Sequence, residues 1–254
     1  MNLIKPKKSL GQNFLIDKNV IDLIINAGNI KNNDVVFEVG PGTGNLTEKI
    51  LSKEPKKIFT VEKDKILAKK LVEKFKDKIF MINKDILHIN EENLSDRPMI
   101  VFGNLPYNIS TQILAKWIKI IHLNKTFKRF ILMFQKEVGE RIVADTNKKN
   151  YGRLSILTSW RMNVKKIADV SPKSFFPIPK VKSTILLIEP KIKHYNLKNP
   201  KNLEYITSVF FNQRRKMIKK PLNTLFKNTN ELSSKLNINL NDRPQNLSPT
   251  KYFQ

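Results

Sequence analysis

Apolar residues in the first 190 positions fall into two rhythms. Short runs such as Val35-Val36-Phe37-Glu38-Val39 and Met99-Ile100-Val101-Phe102 have the length and β-branched or aromatic content of buried strands. Between them, apolar positions recur every three or four residues, the mark of amphipathic helices. The pattern predicts strands over residues 35–39, 57–62, 79–85, 99–104 and 129–135. Helices are predicted over 18–27, stopped by Gly28, over 46–53 with Asn45 as a candidate cap, and over 65–75 and 110–122. A helix over 153–160 and a terminal antiparallel pair, 164–170 with 181–189, complete the first part. The expected fold class is α/β, a doubly wound and mostly parallel seven-stranded sheet. Residues 190–202, rich in Lys, Asn and Pro, read as a linker. From residue 203 the pattern turns helical with no strand candidate. The expected domains are therefore 1–190 and a small all-helical C-terminal domain over 191–254.

Charge changes this picture from a fold to a partner. Forty-seven Lys and Arg stand against 22 Asp and Glu, a formal charge of +25. Self-repulsion of that size is normally offset by a polyanion, with nucleic acid the leading candidate and an anionic membrane surface the second. Genome base composition is an alternative source of the abundant Lys, Ile and Asn. No run of about 18 apolar residues could span a bilayer, and the first eight residues have no apolar core of a signal peptide. There is no cysteine, and His88, His122 and His194 lack metal-ligand spacing, so no metal is expected. A cytoplasmic location is expected. So is a monomer, because no heptad seam or long apolar patch is visible.

Candidate chemistry sits at the carboxyl ends of successive predicted strands, where open α/β sheets bind ligands. Glu38 and Gly40-x-Gly42-x-Gly44 end the first, Glu62 the second, Asp85 the third and Asn104 the fourth. Glycines there let the backbone approach a ligand closely. Asn45 stands where a nicotinamide fingerprint needs its third glycine, so the loop suits S-adenosylmethionine better than a dinucleotide. Taken alone, the loop also fits a plain structural turn, the lesser of the two readings. Glu62 is placed to accept bonds from two ribose hydroxyls, and Asp85 from an adenine amine. Asn104-Leu105-Pro106-Tyr107 fits methylation of an exocyclic amine. The Asn104 oxygen and the Leu105 carbonyl would hold the amine hydrogens, while Pro106 confines Leu105 to extended backbone. Tyr107 offers a ring to an unstacked base. The bland alternative is a turn capped by Asn104.

Three segments, Ser9-Leu10-Gly11-Gln12-Asn13-Phe14-Leu15, Glu38-Val39-Gly40-Pro41-Gly42-Thr43-Gly44 and Asn104-Leu105-Pro106-Tyr107-Asn108-Ile109-Ser110, carry a resemblance. Phe175-Phe176-Pro177-Ile178-Pro179-Lys180-Val181-Lys182-Ser183 and Phe211-Asn212-Gln213-Arg214-Arg215-Lys216 extend it over nearly the whole chain. The sequence resembles the KsgA family of ribosomal RNA adenine dimethyltransferases, in its bacterial branch. The resemblance implies a class I, Rossmann-like S-adenosylmethionine-dependent methyltransferase with S-adenosylhomocysteine as product. It implies cofactor contacts at Asn13, Leu15, Gly40, Glu62, Asp85 and Asn104, and amine positioning by Asn104 and Leu105. Base stacking falls on Tyr107, with Phe175 on the opposite face. The implied substrate is a pair of adjacent adenines in a hairpin near the 3′ end of small-subunit RNA, methylated on a partly assembled subunit. Lys182 departs from the acidic or amide residue expected before Ser183.

Transfer is expected to run in line from the sulfonium to the amine, without a covalent enzyme intermediate or a dedicated base. Basic runs at Lys5/Lys7/Lys8, Lys148/Lys149, Arg161/Lys165/Lys166, Lys180/Lys182 and Arg214/Arg215/Lys216/Lys219/Lys220 fit a cradle for structured RNA. Lys180 and the run Gln213-Arg214-Arg215-Lys216, expected on a helix anchored by Phe210 and Phe211, are the candidate RNA contacts. Three alternatives stay open: a macrolide-resistance type of enzyme acting on large-subunit RNA, a DNA adenine methyltransferase, and an assembly factor with little need of catalysis.

Overall fold

The computed structural model describes residues 6–7 and 10–254. Lys5, Lys8 and Ser9, part of the basic arm and of the first motif, lie outside the described residues. Contacts divide the chain into two units: residues up to Gly139 with Val164–Pro190, and Glu140–Asn163 with Lys191–Gln254. The sequence pattern grouped residues 140–163 with the first domain. They belong to the second unit because the helix at 153–161 packs on C-terminal helices.

The first unit begins with β1 (Phe14–Leu15) and α1 (Lys18–Gly28). It continues through β2 (Val35–Val39), α2 (Asn45–Leu51), β3 (Lys57–Val61), α3 (Lys65–Phe75) and β4 (Phe80–Ile82). Next come β5 (Met99–Asn104), α4 (Ser110–Ile118), α5 (Leu123–Thr126) and β6 (Phe127–Gln135). α6 (Lys136–Ile142) leads into the second unit, which holds α7 (Arg153–Arg161). β7 (Met162–Val170) returns the chain to the first unit, followed by β8 (Phe175–Phe176) and β9 (Ser183–Pro190).

Seven strands form one sheet in the order β4-β3-β2-β5-β6-β9-β7. β2 to β6 pair in parallel, and β9 enters antiparallel to β6. This is the expected seven-stranded, mostly parallel architecture. Strand alternation sends Val36, Ile58, Ile100, Phe102, Ile131, Met133 and Ile185 into one core with α1, α2 and α3. Trp117, Phe127 and Phe130 form an aromatic cluster, their ring centroids 4.6–6.0 Å apart.

Several boundaries differ from the pattern for identifiable reasons. Gly28 is the last residue of α1 rather than its stop, which is Asn29 in the left-handed conformation at φ 47°. A Cβ on Gly28 would stand 2.3 Å from the buried Phe102 ring, so this glycine permits close helix–sheet approach. Gly44, not Asn45, caps α2, and the Asn45 amide donates instead to the Leu15 carbonyl at 2.8 Å. β4 is short because Asn83 turns its amide back to the Glu62 carbonyl at 2.7 Å. β9 starts at Ser183, after the exposed stretch that follows Pro177 and Pro179.

The second unit adds α8 (Pro200–Asn212), α9 (Lys219–Leu225), α10 (Thr229–Leu236) and α11 (Pro249–Phe253). Tyr151, Phe210, Phe211 and Tyr252 pack ring to ring at its core. Their buried hydroxyls are matched: Tyr151 donates to the Leu247 carbonyl at 2.9 Å and Tyr252 to that of Pro244 at 2.7 Å. Among the described residues no helix is long and apolar enough to cross a membrane.

Candidate active site

Strand order reverses at β2, which pairs with β3 on one side and β5 on the other. The connections leave the sheet in opposite directions there, and a cleft opens at the carboxyl ends. Asn13, Leu15, Gly40, Glu62, Asp85, Asn104, Leu105, Pro106 and Tyr107 all line it. Its roof is residues 10–15, whose Phe14 ring rests on the glycine loop. A Cβ on Gly42, at φ 58°, would come within 2.8 Å of that ring.

Three carboxylates face this cleft, two with a raised pKa and one with a lowered pKa. Glu62 accepts from the Gly42 N–H at 3.3 Å and the Asp64 N–H at 2.9 Å. Burial still raises its pKa above the usual range. Each carboxylate oxygen has a second lone pair, so acceptor capacity remains for ligand hydroxyls. Burial also disfavours ionisation of Asp85, but the Lys63 ammonium at 2.9 Å and the Leu87 N–H at 3.0 Å outweigh it and lower its pKa. Glu38 lies deepest, fully buried, with one oxygen held by the Thr47 hydroxyl at 2.7 Å. Its Oε1 has no hydrogen-bond partner among the described residues. Burial, helped by the neighbouring Glu62 charge, pushes its carboxyl to about 8. In the sequence Glu38 stands out only as a polar strand end, with no ligand contact assigned to it. The available signal was an acidic residue inside an otherwise apolar parallel strand.

Asn104 ends β5 with its amide N–H donated to the Asn13 carbonyl at 2.8 Å. That bond fixes which end of the amide is the donor. Oδ1 then accepts no bond from the described residues. The Tyr107 hydroxyl meets the buried Ser183 Oγ at 2.6 Å, and burial raises its phenol pKa. The roof is tied down at a second point. Asp64, which caps α3 through the Ile66 N–H, also receives Gln12 Nε2 at 3.1 Å and the Lys7 ammonium at 2.9 Å.

Phe175 does not fit the role implied for it. It is 1% exposed and packs in the main core, while Phe176 beside it is 53% exposed. β8 pairs antiparallel with β1, Leu15 opposite Phe175, and neighbours in a strand point to opposite faces. Phe175 therefore backs the N-terminal motif from the core and offers no open face to a base.

The candidate RNA contacts lie elsewhere. Lys180 is exposed. α8 stops at Asn212, so the basic run is a turn rather than a helix, closed by the Lys216 N–H to the Gln213 carbonyl at 2.8 Å. Arg214 is engaged internally, with Gln245 Oε1 at 3.0 Å and the Lys149 carbonyl. Arg215 and Lys216 are exposed and line a groove with Lys219, Lys220 and Arg243.

A family model described as ribosomal RNA adenine dimethylase matches residues 4–254. The chain belongs to this family. A curated relative, the ribosomal RNA small subunit methyltransferase A of Pelagibacter ubique, is 56% identical over 251 residues, covering 99% of this chain and 95% of the relative. Among solved structures, a dimethyladenosine transferase from Plasmodium falciparum superposes with TM-score 0.77 at 27% identity, covering 94% of each chain. The 23S rRNA methyltransferase ErmE gives TM-score 0.71 at 22% identity, covering 94% of this chain and 96% of that one, a likeness of fold. Family and fold are those of S-adenosylmethionine-dependent methyltransferases, and the activity is adenine dimethylation in ribosomal RNA.

Proposed function

We propose that this chain dimethylates the exocyclic amines of two adjacent adenines in a hairpin near the 3′ end of small-subunit (16S) ribosomal RNA. It does so on the immature subunit, as a cytoplasmic monomer. The observation that carries the site assignment is the Asn104 amide. Its N–H is committed to the Asn13 carbonyl, so its oxygen is the end left to accept a hydrogen bond from an incoming amine.

S-adenosylmethionine supplies a methyl group activated on a sulfonium. The cleft suits such a ligand: Glu62 and Asp85 supply acceptors for an adenosine, and the unpartnered Oε1 of Glu38 supplies a further hydrogen-bonding group deep in the cleft. Asn13, Leu15 and Gly40 bring backbone against it. Holding both amine hydrogens, on Asn104 and the Leu105 carbonyl, turns the nitrogen lone pair out of conjugation with the ring. Pro106 keeps Leu105 extended, and Tyr107, pinned by Ser183, gives the base a surface. Most of the rate enhancement is then positioning and exclusion of water. The small-subunit branch is supported by the 56% identical relative, whose name specifies that subunit. Arg215 and Lys216 in the second unit and Lys180 in the first are each placed to contact phosphates, and Arg214 supports the turn that presents Arg215 and Lys216.

The direct test incubates the protein with labelled S-adenosylmethionine and undermethylated small subunits, alongside large-subunit RNA and DNA. N6,N6-dimethyladenosine in small-subunit RNA alone is the expected result. Label in large-subunit RNA would move the assignment to the resistance-type enzymes. Asn104→Ala is expected to slow transfer by about a hundredfold or more, the scale of losing one oriented hydrogen-bonding group at a reacting centre. Its association with subunits should stay at the parent level, which separates catalysis from assembly-factor binding.

A further inference from the structure

An ion pair on α4 lies outside every role assigned so far. The Lys116 ammonium donates to the Ile86 carbonyl at 2.9 Å, the Ile89 carbonyl at 2.6 Å and Glu91 Oε1 at 2.7 Å. An ammonium has three protons, and all three end on one stretch of chain. The Trp117 indole N–H donates to the same Glu91 oxygen at 2.7 Å, and Glu91 is 1% exposed.

That stretch follows β4 and consists of two short 3₁₀ turns, Ile86–His88 and Glu91–Asn93. Such turns hold themselves weakly, because each closes few hydrogen bonds. The first is opened by Asp85, whose carboxylate caps the Leu87 N–H, and both Asp85 and Ile86 line the cleft. α4 begins directly after Asn104-Leu105-Pro106-Tyr107-Asn108-Ile109. One side chain of the helix that follows the amine-binding motif thus fixes the loop that forms the far edge of the cleft. Stability alone is a poor explanation, since a buried ion pair often contributes no more than well-packed apolar groups of similar volume.

We propose that Lys116 is a positioning residue for cofactor binding: by anchoring the Ile86 and Ile89 carbonyls it holds Asp85 where the adenine end of the ligand is received. This rests on the reading of Asp85 as the adenine acceptor. The test measures dissociation constants of S-adenosylhomocysteine and 5′-methylthioadenosine by calorimetry on the full chain, with melting temperatures alongside. Lys116→Met alone leaves Glu91 charged and unpaired, so the double variant Lys116→Met with Glu91→Gln is the informative one. It removes both charges and keeps an oxygen for the Trp117 N–H. Expected are a melting temperature near the parent's and affinities weakened about tenfold for both ligands, as when a partner that orients a ligand-binding group is removed. The KM for S-adenosylmethionine should rise in step while kcat at saturation is kept. Lys116→Arg, which retains donors, should recover much of the affinity. Parent-like affinities in the double variant, with Asp85→Ala weakened, would overturn the role of Lys116. Parent-like affinity in Asp85→Ala would overturn the adenine reading itself, and the proposal with it.

Discussion

Glu38 shows what a single buried carboxyl contributes and costs. In the folded protein burial lets it keep its proton to about pH 8, far above the usual range of a glutamate. Across that interval the folded state binds more protons than the unfolded state. The stability associated with this proton is therefore complete below about pH 4 and is lost as pH rises through 8. Glu38→Gln removes the titration. The variant should lose less stability than the parent between pH 5 and 9, by a few kcal/mol at the upper end, and should bind S-adenosylhomocysteine more weakly. Melting curves across pH check the first half, and parallel curves for the two proteins would refute it. Glu62, Asp85 and Asn104 were legible in the sequence because a polar residue at each strand end repeats in phase with the strand–helix unit. That one oxygen of Glu38 would be left without a partner was not legible, since it depends on what packs around β2. Phe175 was legible as part of a motif, but its facing was not. That is set by pairing with Leu15, a contact no local pattern encodes.

At the scale of elements, β2 and β5 match their predicted limits because each is an apolar run buried on both faces, whereas the edge strand β4 is partly exposed and shorter than its pattern. Misreadings gather where one residue has two physical uses. The pattern makes Gly28 a helix stop, yet Asn29 has the left-handed backbone and Gly28 touches Phe102. Two terms oppose each other in Gly28→Ala. Alanine gains about 1 kcal/mol of helix propensity, while overpacking against a ring that is fully buried typically costs about 1–3 kcal/mol. The clash should win, and a lowered melting temperature is expected. A raised one would mean that Phe102 yields. The two-residue strands β1 and β8 could not be foreseen, because two residues show no period. The basic run after Asn212 was read as helical because its composition permits a helix. Lys216 closes a turn on Gln213 instead.

For the whole molecule, charge is the dominant fact. With +25 on 254 residues, RNA binding should draw much of its free energy from released counterions. Affinity for small-subunit RNA is expected to fall about a thousandfold between 50 and 200 mM salt if six phosphates are contacted. A filter-binding series would show it, and a flat series would remove the electrostatic cradle. The two-part organisation was legible in the switch to helical patterning after residue 203. The membership of residues 140–163 in the second unit was not, because the chain visits that unit twice. The roof of the cleft depends on the length of the chain in another way. Asp17 receives the Ser174 hydroxyl across 157 positions, β1 pairs with β8, and the same N-terminal segment orients the Asn104 amide. During translation residues 13–17 can meet Asn104 once β5 has emerged, but they find Ser174 and β8 only once residues 174–176 have left the exit tunnel. A nascent chain therefore carries the glycine loop and the end of β5 well before the N-terminal segment lying over them is stitched to β8.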